Sequence, residues 1–141
     1  MPQFRTFEEI GAWQEARKLI RSIRAICKRE NVKRDFAFID QITRASRSIA
    51  ANIAEGNDAM TIPEFTTYLG IAKRSAAEVR SHFYDALDEQ YVTQEEFDEL
   101  CDLCKKIGSM LAKLIHHLQS LDPKIKRTFK ESESTNQRVN E

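Results

Sequence analysis

Apolar residues recur along this chain at spacings of three and four, the period of a helix buried along one side. The first stripe is Ala12, Ala16, Leu19, Ile23 and Ile26, with Trp13, Ile20 and Cys27 beside it. The second is Phe38, Ile42, Ala45, Ile49 and Ile53. A third runs Phe65, Leu69, Ala72, Ala76, Val79, Phe83 and Ala86. The fourth is an unbroken three-four alternation, Phe97, Leu100, Cys104, Ile107, Leu111, Leu114, Leu118 and Leu121. No segment shows convincing period-two alternation, so strands are not expected. The stripes predict helices over about 7–30, 36–55, 62–90 and 94–121.

The punctuation agrees with the stripes. Thr6 to Glu9, Thr61 to Glu64 and Thr93 to Glu96 each read Thr-x-x-Glu. In such a box the Thr oxygen accepts from the third amide of the helix and the Glu accepts from the cap amide. Pro63 suits a first turn that needs no donor. Gly56 is expected to close the second helix as a left-handed cap. Short links favour antiparallel neighbours, so the fold class is all-α, an up-down-up-down antiparallel four-helix bundle over residues 1–121. Asp122-Pro123 ends the last helix, and the polar stretch 122–141 is expected to be a flexible tail.

Composition narrows the class. With 41% hydrophobic and 31% charged residues the chain has the balance of a soluble globular domain. No run of about 18 apolar residues exists, so no membrane span is expected. The N-terminus lacks a basic segment followed by an apolar one, so no signal peptide is read. Three cysteines are an odd number for a disulfide framework, which makes a cytoplasmic location the expectation.

Charge changes the picture only locally. Lys and Arg total 22, as do Asp and Glu, so the chain as a whole is not drawn to polyanions. Yet residues 17–34 hold eight bases and one acid, residues 81–104 eight acids and no Lys or Arg, and residues 105–130 seven bases and one acid. In an up-down bundle the first basic block and the acidic block share a pole. The simpler reading is solvated helix faces and complementary subunit charges. The functional reading is a phosphate-binding patch of Arg17, Arg21, Arg24 and Lys28, with Lys124, Lys126 and Arg127 second. Tyr68, Tyr84 and Tyr91 are too sparse for a stacking platform, and base-specific readout is not indicated.

One polar band is unusual. Gln41, Arg44, Ser48, Asn52 and Glu55 flank the apolar band of helix 2. Glu55 sits at the carbonyl end of that helix, where an anion is disfavoured. We expect it to accept from amides of the 57–61 turn, with Asn52 extending the network; the alternative is a solvated carboxylate. Helix 3 has a comparable flank, Ile71, Ser75, Glu78 and His82, which can face it across the short link.

Enzyme signatures are weak. Cys101-x-x-Cys104 lacks the βαβ context of redox motifs and two further ligands for zinc. His116 and His117 point about 100° apart on a helix. Glu78 and His82 do not make the paired Glu-x-x-His motifs of di-iron bundles. A metal- or thiol-dependent bundle enzyme is therefore the runner-up, and no cofactor is expected.

The string Gln41-Ile42-x-Arg44-Ala45-x-x-Ser48-Ile49-x-x-Asn52-Ile53-Ala54-Glu55-Gly56 resembles the signature of the bacterial four-helix-bundle family first named for intervening sequences in 23S ribosomal RNA genes. Phe7, Trp13, Ala16 and Leu19 resemble its first helix, and Glu64-Phe65, Leu69, Ile71-Ala72, Ser75 and Glu78 its third. The similarity covers about residues 4–121. Members are similar in fold to the accessory variability protein of diversity-generating retroelements, a ring of five bundles that binds nucleic acid and a reverse transcriptase. The resemblance implies a non-catalytic scaffold or adaptor, a homopentamer, with RNA or a reverse-transcriptase-like protein as partner. It marks Gln41, Arg44, Ser48, Asn52, Glu55, Gly56, Ser75 and Glu78 as signature positions. Trp13, Tyr68, Tyr84, Ala51 and Ala54 are candidates for a subunit contact.

Overall fold

The computed structural model describes residues 4–122. A short 3-10 turn, Phe7–Glu9, precedes four helices: α1 Gly11–Cys27, α2 Phe36–Asn57, α3 Ile62–Asp88 and α4 Gln94–Leu121. Among the described residues there is no strand. Each helix packs on its neighbours in the order α1–α2–α3–α4–α1, and among the described residues the diagonal pairs make no close backbone approach, which is an antiparallel four-helix bundle.

The apolar stripes build the core. Every stripe residue of α2 and α3 is buried, as are all five of α1. In α4 the stripe holds from Phe97 to Leu111 and again at Leu118, but Leu114 is only half-buried and Leu121 is exposed. Phe65 and Phe83 are fully enclosed, and each contributes roughly 1.5–3 kcal/mol on leaving water. Periodicity did not mark Ile10, Val32 and Val92, which lie in connections yet are buried at the two ends of the bundle.

The three expected boxes turn out differently. Thr93 forms a complete box: its oxygen accepts from the Glu96 amide and Glu96 accepts from the Thr93 amide. Thr61 forms half of one, because Glu64 accepts from the Met60 amide instead. Thr6 caps nothing with its side chain. There the chain breaks at extended Ile10, whose side chain is buried, and Phe7 turns its ring onto Trp13 at 5.0 Å. α1 therefore starts at Gly11, later than expected, and ends at Cys27 so that the following turns can bury Val32.

Gly56 is corrected as well. α2 continues through it to Asn57, and no glycine among the described residues has positive φ. Its role is proximity: a Cβ would lie 3.0 Å from both the Phe65 ring and Tyr68 Cβ of α3. The left-handed residue is Gln90, φ 61°. It ends α3 in a Schellman motif, with Tyr91 N donating to Ala86 O and Gln90 N to Leu87 O.

One pole is tied by side chains. Arg29 donates to both carboxylate oxygens of Glu96 and to the Tyr91 carbonyl, the latter at 2.8 Å. Tyr91 donates its hydroxyl to Asp35 at 2.6 Å, and Asp35 also caps α2 by accepting from the Phe38 amide. The basic and acidic blocks thus meet within one subunit, through this single bidentate pair.

Candidate nucleic-acid interface

Residues 17, 21, 24 and 28 fall within an arc of about 60° on a helix of 100° per residue. Ala16, Leu19, Ile23 and Ile26 face the core, so the basic row is turned outward. Arg17, Arg21, Arg24 and Lys28 are exposed. Among the described residues none of them has an ion pair or side-chain hydrogen bond. Three of the four other bases of the block are engaged: Lys18 pairs with Glu15, Lys33 with Glu30, and Arg29 with Glu96, whereas Arg34 is exposed and has no such partner among the described residues. Arg24 and Lys28 also lie at the carbonyl end of α1, where cations are favoured. The row offers repeated positive charge with no internal neutralisation, the requirement for contact with a phosphate backbone. Lys124, Lys126 and Arg127 lie outside the described residues.

The signature positions occupy a different part of the molecule. Asn52 donates to the Ser48 carbonyl at 2.8 Å and to Ser48 Oγ at 3.0 Å. Ser75 reaches across from α3 and donates to Ser48 Oγ at 2.9 Å. This chain joins α2 to α3 inside an otherwise apolar seam. Glu55 does not take part. It is exposed, its side chain makes no hydrogen bond among the described residues, and the turn amides of Asp58 and Ala59 bond instead to the carbonyls of Glu55 and Gly56. The expected Glu55 network is therefore replaced by backbone closure of the turn. Gln41 is exposed, Arg44 pairs with Asp40 at 3.1 Å, and Glu78 lies 3.5 Å from His82.

The remaining candidates are placed as follows. Trp13, Tyr68 and Ala54 are half-buried, whereas Ala51 and Tyr84 are exposed; the Tyr84 ring meets Phe97 edge-on at 4.9 Å. Cys101 and Cys104 are both buried. Desolvation raises both thiols, Cys104 to about 12, so at neutral pH they are uncharged packing groups. Among the described residues no set of three or more His, Cys, Asp or Glu side chains is disposed to hold a metal. No described helix is long and apolar enough to cross a membrane. Sequence reasoning missed Arg29, Asp35 and Tyr91 as a structural unit. The only signal was the basic and acidic blocks sharing a pole.

Against this geometry, the family model for the 23S rRNA-intervening sequence protein matches residues 8–113. The chain belongs to that family. The match runs from the 3-10 turn into the last third of α4 and includes the basic row and the Ser48–Asn52–Ser75 chain. A solved structure is similar: a protein of unknown function from the S23 ribosomal protein family of Bacteroides thetaiotaomicron VPI-5482, with a TM-score of 0.67 and 23% identity over 74% of this chain and 97% of that one. At that identity the likeness is one of fold. No curated protein matches the chain.

Proposed function

We propose that this 23S rRNA-intervening sequence protein is a non-catalytic, homo-oligomeric scaffold that holds RNA by its phosphate backbone along α1. The observation that carries the reading is the outward row Arg17, Arg21, Arg24 and Lys28, unpaired among the described residues and aligned on one side of α1, while Lys18, Arg29 and Lys33 are paired. The resemblance to the retroelement accessory protein supports nucleic acid as the partner class, a pentamer and a reverse-transcriptase-like partner. Neutral, buried thiols at Cys101 and Cys104 favour a scaffold over thiol chemistry. A location in the cytoplasm fits the same reading.

Binding of a labelled oligoribonucleotide, followed by fluorescence anisotropy across a salt series, tests the RNA part. Four engaged phosphates give a slope of log K against log salt of about −3 on a single strand. Arg17→Glu with Arg21→Glu should abolish binding at moderate salt without changing the helical content. Absence of binding at low salt, or a slope near zero, would refute the reading. Sedimentation of the same samples reports self-association; a monomer at all concentrations removes the oligomeric part.

A further inference from the structure

The packing of α3 on α4 leaves a furrow of about 240 Å³ away from the α1 row. Its floor is Ala76, Ala77, Cys104 and Gly108; its rim is Lys73, Arg80 and Lys105. The floor is open at one point in particular, since a Cβ on Gly108 would meet nothing within 4 Å. Lys73 and Arg80 stand two turns apart on α3, about 10 Å along the axis, and Lys105 faces them from α4. Among the described residues none of the three cations has an ion pair or hydrogen bond. Asp98 and Asp102 lie near Cys101 beside Arg80 and Lys105, but neither lines the furrow, whose charged lining is Lys73, Arg80 and Lys105.

An apolar floor inside a cationic rim asks for a ligand with two parts. A bare phosphate would satisfy the rim and leave the floor in contact with water. A docking helix would satisfy the floor but needs a longer strip than this; stable protein contacts cover about 800 Å² per partner, whereas the cationic part here spans two turns. A nucleotide has both parts, a flat base and a phosphate at each side. We infer that the α3–α4 furrow seats one unit of single-stranded RNA, its base on Ala76, Ala77 and Gly108 and its flanking phosphates on Lys73, Arg80 and Lys105. A duplex keeps its bases stacked and cannot present one to the floor. The inference rests on the RNA reading but uses residues that reading does not.

Two variants of the full chain separate the parts. Gly108→Leu fills the floor without changing charge, and the space at Gly108 lets the bundle fold. It should weaken binding of a uridine dodecamer about tenfold, the lost apolar contact of one seated base, and leave an RNA duplex unaffected. The triple variant Lys73→Ala, Arg80→Ala, Lys105→Ala should reduce the salt slope by about 1.4, two flanking phosphates at about 0.7 each. Competition by free UMP that is itself abolished by Gly108→Leu also supports the site. Thermal melting checks that Gly108→Leu is folded. Equal dodecamer affinity in the wild type and Gly108→Leu, with binding still lost in Arg17→Glu/Arg21→Glu, overturns the furrow and leaves the proposed function standing. Loss of self-association in Gly108→Leu with RNA binding intact assigns the furrow to a protein contact and overturns it too. No binding of dodecamer or UMP to the wild type at low salt overturns both.

Discussion

Gly56 gives up helix propensity inside α2 so that α3 can lie close. Alanine is the better helix former by roughly 0.8–1 kcal/mol, yet its methyl would sit 3.0 Å from the enclosed Phe65 ring and from Tyr68 Cβ, an atom fixed to the backbone. Overpacking of this kind costs about 1–3 kcal/mol, so Gly56→Ala should lower stability in urea unfolding; an unchanged or raised midpoint would show that α3 yields freely. The hydroxyl pair beneath it follows a different rule. Ser48→Ala strands the donor of Ser75, which is buried, and a stranded buried donor costs about 1–3 kcal/mol. Ser48→Ala with Ser75→Ala removes both partners and should recover part of that loss, measurable as a double-mutant cycle; strict additivity would mean the bond contributes nothing. Of these positions, the sequence displayed the polar band but misassigned its members. Spacing placed Ser48, Asn52 and Ser75 on facing flanks, while the choice between Glu55 and the turn carbonyls depended on backbone geometry that no spacing encodes.

At the scale of elements, the core stripes were legible because burial selects apolar residues turn after turn. Every predicted stripe position of α1, α2 and α3 is buried. Connections carry no period, so Val32, Val92 and the Arg29–Glu96 pair were not legible, although they fix how the α1–α2 and α3–α4 turns meet. That pole has a pH signature. The Arg29 guanidinium, with the Thr93 amide, holds the Glu96 carboxyl down at about 2 from its ordinary 4.5. A depressed carboxyl contributes stability that is complete above 4.5 and lost as pH falls towards 2. The hydrogen bond to Asp35 holds the Tyr91 phenol up at about 12 from its ordinary 10. Its contribution is complete below 10 and lost as pH rises through 12. Urea midpoints measured across pH should therefore fall in both windows. Glu96→Gln should flatten the acid limb alone and Tyr91→Phe the alkaline limb alone; unchanged limbs would assign the slopes to other groups.

For the whole molecule, zero net charge coexists with cations left without partners on the α1 surface and in the α3–α4 furrow. The α1 row was legible from its four-three-four spacing. The furrow was not, because Lys73 and Arg80 meet Lys105 only once two helices are packed. The same packing encloses Cys104 at 3% exposure in the middle of the α4 stripe. A thiol there, neutral and pushed up to about 12, is a poor nucleophile even where its edge meets the furrow, and reacts fully when the bundle opens. Its labelling rate therefore reports cooperative opening of the whole fold, not a local fluctuation. Native protein treated with an aromatic disulfide reagent should show prompt reaction at Cys27 at most, the cysteine left half-buried. Cys101 and Cys104 should follow together, at a rate that rises with urea in parallel with global unfolding. Prompt reaction of Cys104 in native buffer would mean that α3 and α4 separate readily, and would return the Cys101–Cys104 pair to consideration as a redox couple.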